Sequence, residues 1–322
     1  MIDLTALAVV VEAPEHLVLK HLPLTRPEAD DAVVDIEFSG ISTGTERLLW
    51  TGTMPPFPGM GYPLVPGYES VGRIVEVGAQ SRRGVGERVF VPGALCYGEV
   101  RGLFGGAASR VVVPARRLVP IEESLGAEAV LLALAATAYH ALRAPEGGLR
   151  VPDLIVGHGV LGRLLARLST ALGETAPVVW EKDPQRRSGA LGYEVVDPER
   201  DERPDYACIC DVSGAEGLLD TLIARLAAGG EVVLAGFYTQ PLQFSFPPAF
   251  MREARLRIAA EWRAEDMQSV NELLASGRLS LDGLITHCRP AEQAQQAYRT
   301  AFQDPACLKM ILDWRSTHEQ PD

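Results

Sequence analysis

The chain has 322 residues, 47% of them hydrophobic, and a formal net charge of −12. That length is enough for two sizeable cores. An acidic surface repels nucleic-acid phosphates and anionic lipid, so a small-molecule partner is expected and nucleic acid is not.

The first third reads as β structure. Residues 6–11, 17–22 and 32–38 are short β-branched runs separated by Pro, Asp and Glu. Glycine and proline crowd 52–67, and further strands are expected at 72–77 and 88–91. Together these predict a small irregular barrel carrying loops. At residue 123 the period becomes helical through 142, with Ser124 as the expected N-cap and Glu128 in the first turns. After Pro152 comes a strand at 153–156, a glycine turn at 157–162 and a helix at 164–172, with more strands at 177–180, 206–211 and 231–235. That alternation predicts a parallel, doubly wound sheet. From about 284 the tail returns to a strand, a helix at 291–302 and a last strand at 308–314. The expected domains are therefore 1–125 with 284–322, and 126–283.

Five cysteines are odd in number and too few for a disulfide scaffold. Cys208 and Cys210 share one face of a strand and are expected as buried thiols. Asp3, Glu12 and Glu15 contradict a secretory signal, and the apolar run 129–138 is shorter than the ~20 residues of a membrane span. A cytoplasmic protein with no integral membrane segment is expected.

Gly157-His158-Gly159-Val160-Leu161-Gly162 fits G-x-G-x-x-G between an apolar strand and an amphipathic helix. Gly157 permits the tight turn, Gly159 lets backbone approach a pyrophosphate, and Gly162 lets helix and strand pack closely. The helix N-terminus then offers free N–H groups to the phosphates. Glu181 follows at the end of the next strand, where an acid binds the ribose hydroxyls and repels a 2′-phosphate, so NAD is expected. Lys182, Arg186 and Arg187 nearby leave NADP open.

In order along the chain, Gly40-Ile41-Ser42, Pro66-Gly67-Tyr68-Glu69, Gly86-Glu87-Arg88-Val89, Gly105-Gly106-Ala107, Thr137-Ala138-Tyr139-His140, the glycine fingerprint, Asp211-Val212-Ser213-Gly214, residues 229–236 ending in Gly236, and Lys309 form a series. This series resembles the medium-chain dehydrogenase/reductase superfamily over essentially the whole chain. The resemblance implies an α/β protein: a GroES-like, partly open β-barrel catalytic domain built from both chain ends, plus a Rossmann nucleotide domain. It also implies a cofactor site that includes Thr137, Ser213 and Gly236, an active site between the domains, and a homodimer. Where zinc-dependent members hold their ligands, this chain has Ser42, Tyr68 and Ala133, and Cys96 stands alone where a structural-zinc lobe would be. Two of those three replacements are poor zinc ligands and the third has no donor atom, so no metal is expected.

The segments 39–50, 58–69 and 101–109, with Trp180-Glu181, resemble more specifically the bacteriochlorophyllide dehydrogenases of bacteriochlorophyll biosynthesis. That implies oxidation of a 1-hydroxyethyl group on a chlorin or bacteriochlorin pigment to acetyl, with NAD taking the hydride. The alcohol carbon would adjoin a conjugated ring that spreads developing charge, so hydrogen-bonding side chains can replace a metal. Ser42, Thr43 and Tyr68 are the candidates, Tyr68 foremost as proton acceptor or donor and Glu69 in support. For a planar apolar substrate the expected contacts are Trp50, Phe57, Met60, Tyr62 and Phe104, with Arg47 toward a propionate. His140 is expected to be structural. Two rival readings remain: a zinc-free quinone or enone reductase using NAD(P)H, and a non-catalytic pigment- or nucleotide-binding protein.

Overall fold

The computed structural model describes residues 4–56, 58–173 and 175–318. In chain order the strands are β1 (Thr5–Ala13), β2 (His16–Pro23), β3 (Asp31–Ile41), β4 (Leu64–Val65), β5 (Ser70–Val77), β6 (Arg88–Val91), β7 (Arg101–Gly102), β8 (Arg110–Pro114) and β9 (Val119–Pro120). They continue as β10 (Leu154–Val156), β11 (Val178–Trp180), β12 (Glu194–Val196), β13 (Tyr206–Asp211), β14 (Leu226–Leu234), β15 (Arg255–Ile258), β16 (His287–Pro290) and β17 (Met310–Asp313). The helices are α1 (Thr45–Thr51), α2 (Leu132–Ala141), α3 (Val160–Leu172), α4 (Leu219–Ala224), α5 (Phe246–Met251), α6 (Ala264–Ala275) and α7 (Ala294–Gln303).

Two compact units result, one ending at Leu132 and resuming at Leu284, the other Ala133–Gly283. The first contains two sheets, ordered β2-β1-β4-β7 and β16-β17-β3-β5-β6-β9, with β8 also pairing β3. Strands β1 and β3 are buried along most of their length, and Val9, Val11, Val34 and Ile36 share one core with Leu64, Val89 and Val111. Each such side chain, fully buried, stabilises the fold by about 1.5–3 kcal/mol. A Cβ on Gly72 would lie 2.1 Å from the Asp35 carbonyl oxygen, so only glycine lets β5 cross β3 there. The last strand, β17, pairs antiparallel with β3, Met310 opposite Ile41, and α7 buries Ala294, Ala297, Tyr298 and Ala301 in the same core.

The second unit is a six-stranded parallel sheet ordered β12-β11-β10-β13-β14-β15. The chain winds outward from β10 in both directions, so a switch point lies between β10 and β13, where open α/β sheets bind ligands at their carboxyl ends. Cys208 and Cys210 are buried on β13, as their spacing predicts.

Three local expectations change. Residues 123–142 are not one helix: a 3-10 segment, Glu123–Leu131, precedes α2, and Gly126 breaks it with φ 50 and ψ −140. Its N-cap is Glu122, without a side-chain cap bond, rather than Ser124. The segment Glu123–Ala141 is nevertheless long and apolar enough for a membrane span by length and composition, and half of its most apolar stretch is buried inside the protein. Strands β8, β12 and β15, which the sequence reading does not include, are defined by pairing with β3, β11 and β14.

Candidate active site

Ser42 follows β3 directly, and Tyr68 precedes β5, which pairs with β3; that pairing brings the two hydroxyls together. Ser42 Oγ and Tyr68 Oη are 2.8 Å apart. Thr45 is a second hydrogen-bond partner of the phenol. Burial, reinforced by the charges of Glu69 and Glu46, raises the Tyr68 pKa well beyond the ordinary phenol range. Tyr68 therefore stays protonated, which weighs against a free tyrosinate base. Its ring packs edge-on against Phe104, centroids 5.5 Å apart. Thr43 is half-buried and has no side-chain hydrogen bond among the described residues.

Glu69 does not reach toward Tyr68's hydroxyl as a supporting acid. Its Oε2 accepts a 2.6 Å bond from Lys309 Nζ, which also donates to the Ile41 carbonyl. Both residues are almost wholly buried, and Glu69 Oε1 has no hydrogen-bond partner among the described residues. The pair packs on Gly40, where a Cβ would come within 2.3 Å of Glu69 Oε2.

The structure adds a second buried acid. Glu46 Oε1 accepts the Ser42 N–H at 3.0 Å, and Oε2 accepts the Tyr298 hydroxyl at 2.7 Å. Burial raises its pKa to about 7, against the lowering effect of those two donors; Glu69 raises it further and Lys309 opposes. Its position in the first turn of a short helix gives no sequence signal of burial.

Of the expected substrate contacts, Phe57 lies outside the described residues. Trp50, Met60, Tyr62 and Phe104 are half-buried and pack against the core rather than standing free. Trp50 stacks at a tilt on Phe302, 5.5 Å between centroids, and Tyr62 donates to the Leu49 carbonyl. Arg47 is exposed, with no ion pair among the described residues.

In the nucleotide unit, Gly157 turns the chain with φ 104, and α3 starts at Val160 with Gly159 as N-cap and no side-chain cap. A Cβ on Gly159 would meet nothing within 4 Å, whereas one on Gly162 would lie 1.9 Å from the Gly157 carbonyl oxygen. Space is thus open where a diphosphate would approach and closed where helix meets strand, and the first N–H groups of α3 lack side-chain partners. Val160 and Leu161 begin that helix. Ser213 and Gly236 end the neighbouring strands around Asp211: Ser213 Oγ donates to Asp211 Oδ1, and Tyr238 Oη to Oδ2. Thr137's hydroxyl is spent on the Ala133 carbonyl one turn back. These residues fit a dinucleotide at the carboxyl end of the sheet.

Glu181 accepts backbone N–H groups from His158 and Asp183, 3.1 and 3.0 Å away. His158 is completely buried: Nδ1 bonds the Arg186 carbonyl at 2.6 Å and Nε2 bonds Tyr193 Oη at 2.9 Å. Burial lowers its pKa to about 4, so it is a neutral brace rather than a proton carrier. Arg163, not foreseen from sequence, ties the turn to the loop after Glu181 through the carbonyls of His158, Arg186, Ser188 and Gly189. Arg187 is committed to Asp197 at 2.6 Å and to two carbonyls. His140 is held by Asp266, which also pairs with Arg143.

The donor set does not suit zinc. Ser42 and Tyr68 bond each other, Glu69 is neutralised by Lys309, and among the described residues no three His, Cys, Asp or Glu side chains converge.

Residues 28–123 match the alcohol dehydrogenase GroES-like domain. The chain is 58% identical to the 2-desacetyl-2-hydroxyethyl bacteriochlorophyllide A dehydrogenase of Rhodobacter capsulatus, covering 95% of this chain and 98% of that protein. It is 59% identical to the protein of the same name from Cereibacter sphaeroides, covering 96% and 98%. The fold is shared with 2R,3R-butanediol dehydrogenase from Bacillus subtilis, TM-score 0.82 at 21% identity over 96% and 99% of the chains. An alcohol dehydrogenase of E. coli CFT073 complexed with NADH superposes with TM-score 0.81 at 21% identity and the same coverage. Identity of this degree over nearly the full length of both chains places the protein in the 2-desacetyl-2-hydroxyethyl bacteriochlorophyllide A dehydrogenase family, within the medium-chain alcohol dehydrogenases.

Proposed function

We propose that this protein oxidises the 1-hydroxyethyl substituent of a bacteriochlorophyllide, or of the related chlorophyllide, to acetyl with NAD as oxidant. The observation that carries the reading is the near-full-length identity to two dehydrogenases named for that pigment. A bound NAD would supply the hydride acceptor through its nicotinamide ring; Gly157, Gly159, Gly162 and the start of α3 would hold its diphosphate. Glu181 favours NAD, because its carboxylate repels a 2′-phosphate and Arg187 is already paired with Asp197.

In this reading the alcohol oxygen meets Tyr68. A phenol whose pKa is raised does not ionise first; it takes the substrate proton as its own proton passes to Ser42 Oγ, 2.8 Å away, while Ser42 gives up its own hydroxyl proton to solvent. Trp50, Met60, Tyr62 and Phe104 offer apolar surface to the macrocycle.

The reading extends to a cytoplasmic homodimer. Strand β15 is the sheet edge and exposes Leu256 and Ile258; α5, just before it, exposes Phe246, Phe250 and Met251. An apolar edge of this kind is satisfied by the same edge of a second copy. Light scattering of wild type and Ile258→Lys tests this: a dimer that becomes monomeric is expected, and a monomeric wild type removes it.

The central test incubates chelator-treated protein with NAD and the hydroxyethyl pigment, following pigment absorbance and NADH together. Equal formation of acetyl pigment and NADH, unchanged by chelator, is expected. NADPH-driven quinone reduction without pigment turnover supports the reductase reading instead, and pigment binding without NADH formation supports the non-catalytic one.

A further inference from the structure

We propose that Glu46 is a positioning residue for the Ser42–Tyr68 hydroxyl pair, fixing Ser42 through its backbone while Tyr298 of α7 fixes Glu46. This rests on the dehydrogenase reading above. The Glu46 N–H donates to the Ser42 carbonyl at 3.1 Å, and its carboxylate takes the Ser42 N–H at 3.0 Å. Ser42 is thus held at both backbone groups by a single residue, and its Oγ has little freedom to leave Tyr68.

A plain turn does not need this arrangement. An exposed Asp or Ser would satisfy the same N–H, whereas a carboxylate only 1% exposed carries a large desolvation cost. The Tyr298 hydroxyl, from a helix some 250 positions later, offsets part of that cost and sets the carboxylate's orientation.

The groups facing Glu46 are Ser42 beside β3, Tyr298 on α7, Glu69 before β5, and Lys309 before β17. Burial and Glu69 hold its proton more tightly; Tyr298, the Ser42 N–H and Lys309 loosen it, leaving a pKa of about 7. When Glu46 is protonated, one oxygen becomes a donor and one of its two accepted bonds is given up. Anchoring of Ser42, and with it turnover, then weakens as pH falls through neutrality.

The test measures kcat and KM for the pigment alcohol, and the NADH Kd by fluorescence, across about two pH units on either side of neutrality. Glu46→Ala is expected to lower kcat about 10²-fold with NADH Kd unchanged. Glu46→Gln carries the one acceptor and one donor of the protonated acid, so it is expected to hold kcat near the lowered acid-side value at every pH and to lose the inflection. Tyr298→Phe, which removes one hydrogen bond and serves if Glu46→Ala does not fold, moves that inflection to higher pH.

Wild-type kcat in Glu46→Ala overturns the proposal, as does an inflection that survives in Glu46→Gln or stays in place in Tyr298→Phe. If wild type does not turn over the pigment, the dehydrogenase reading has failed separately. The proposal is then judged by the infrared carboxylic-acid band, which must titrate near neutrality in wild type and be missing from Glu46→Gln.

Discussion

Lys309 Nζ sits 2.6 Å from Glu69 Oε2, with the lysine side chain 1% exposed and the glutamate 0%. Neither charge reaches water, so each depends on the other for its stability. Removing one partner of such a pair leaves an uncompensated buried charge. Lys309→Met should therefore lower the unfolding free energy by about 3–5 kcal/mol, and Lys309→Met with Glu69→Leu should recover most of it. Chemical denaturation of wild type, the two single variants Lys309→Met and Glu69→Leu, and the double variant decides; additive losses would mean the pair is not coupled.

Tyr68→Phe removes the hydroxyl while keeping the edge contact with Phe104. Loss of a proton-transfer group costs about 10²-fold or more in kcat, with NADH Kd unchanged. Steady-state kinetics with the pigment alcohol are the measure, and turnover near wild type takes Tyr68 out of the mechanism. Because its proton is held above the usual phenol range, no inflection between neutrality and moderately alkaline pH should belong to Tyr68.

Glu181→Gln removes the negative charge and keeps the shape. The NAD Kd should rise about tenfold as a charge-assisted hydrogen bond is lost, while NADP binding improves. Arg187 remains engaged with Asp197, so NADP should gain less than a free arginine at this position would confer. Titration of protein fluorescence with both dinucleotides gives the ratio, and an unchanged ratio would sink the assignment.

His158 contributes an acid limit to stability. Its pKa falls from the model-peptide 6.5 to about 4 on folding, chiefly through burial. A depressed folded pKa means the unfolded chain binds the proton first as acid is added. The stabilisation is complete above 6.5 and is lost as pH drops toward 4, at about 1.4 kcal/mol per pH unit. Urea midpoints measured through this window should fall in wild type and fall less in His158→Asn.

The parts legible in the sequence are those with local signals. Gly157 and Gly162 announce the turn because a positive φ at the first and a close helix–strand approach at the second require glycine, Gly159 completes the motif where space is left open, and Glu181 follows at a spacing set by one strand–helix–strand unit. The two-hydroxyl site was readable at Ser42 and Tyr68, since both occupy motif positions. Glu46 and Tyr298 were not readable: their contact spans 252 positions, and neither lies in a pattern that betrays burial. Arg163 was hidden for the same reason, as an ordinary helix residue whose partners are loop carbonyls. The helix at 123–142 misled because its apolar spacing is unbroken, whereas the backbone breaks at Gly126 through a φ that composition alone does not reveal.

The pairing of β17 with β3 has a consequence for how the chain matures. Synthesis delivers Glu69 and the whole nucleotide-binding sheet long before Lys309. Residues 133–283 contain every strand of their own sheet and can close as soon as they emerge. The other unit must wait, with Phe38–Ile41 of β3 unpaired on that edge and Glu69 lacking its counter-charge, until β17 is made. The half that carries Ser42 and Tyr68 is thus begun first and finished last, so an unfinished chain completes its parallel sheet before the surroundings of the Ser42–Tyr68 pair.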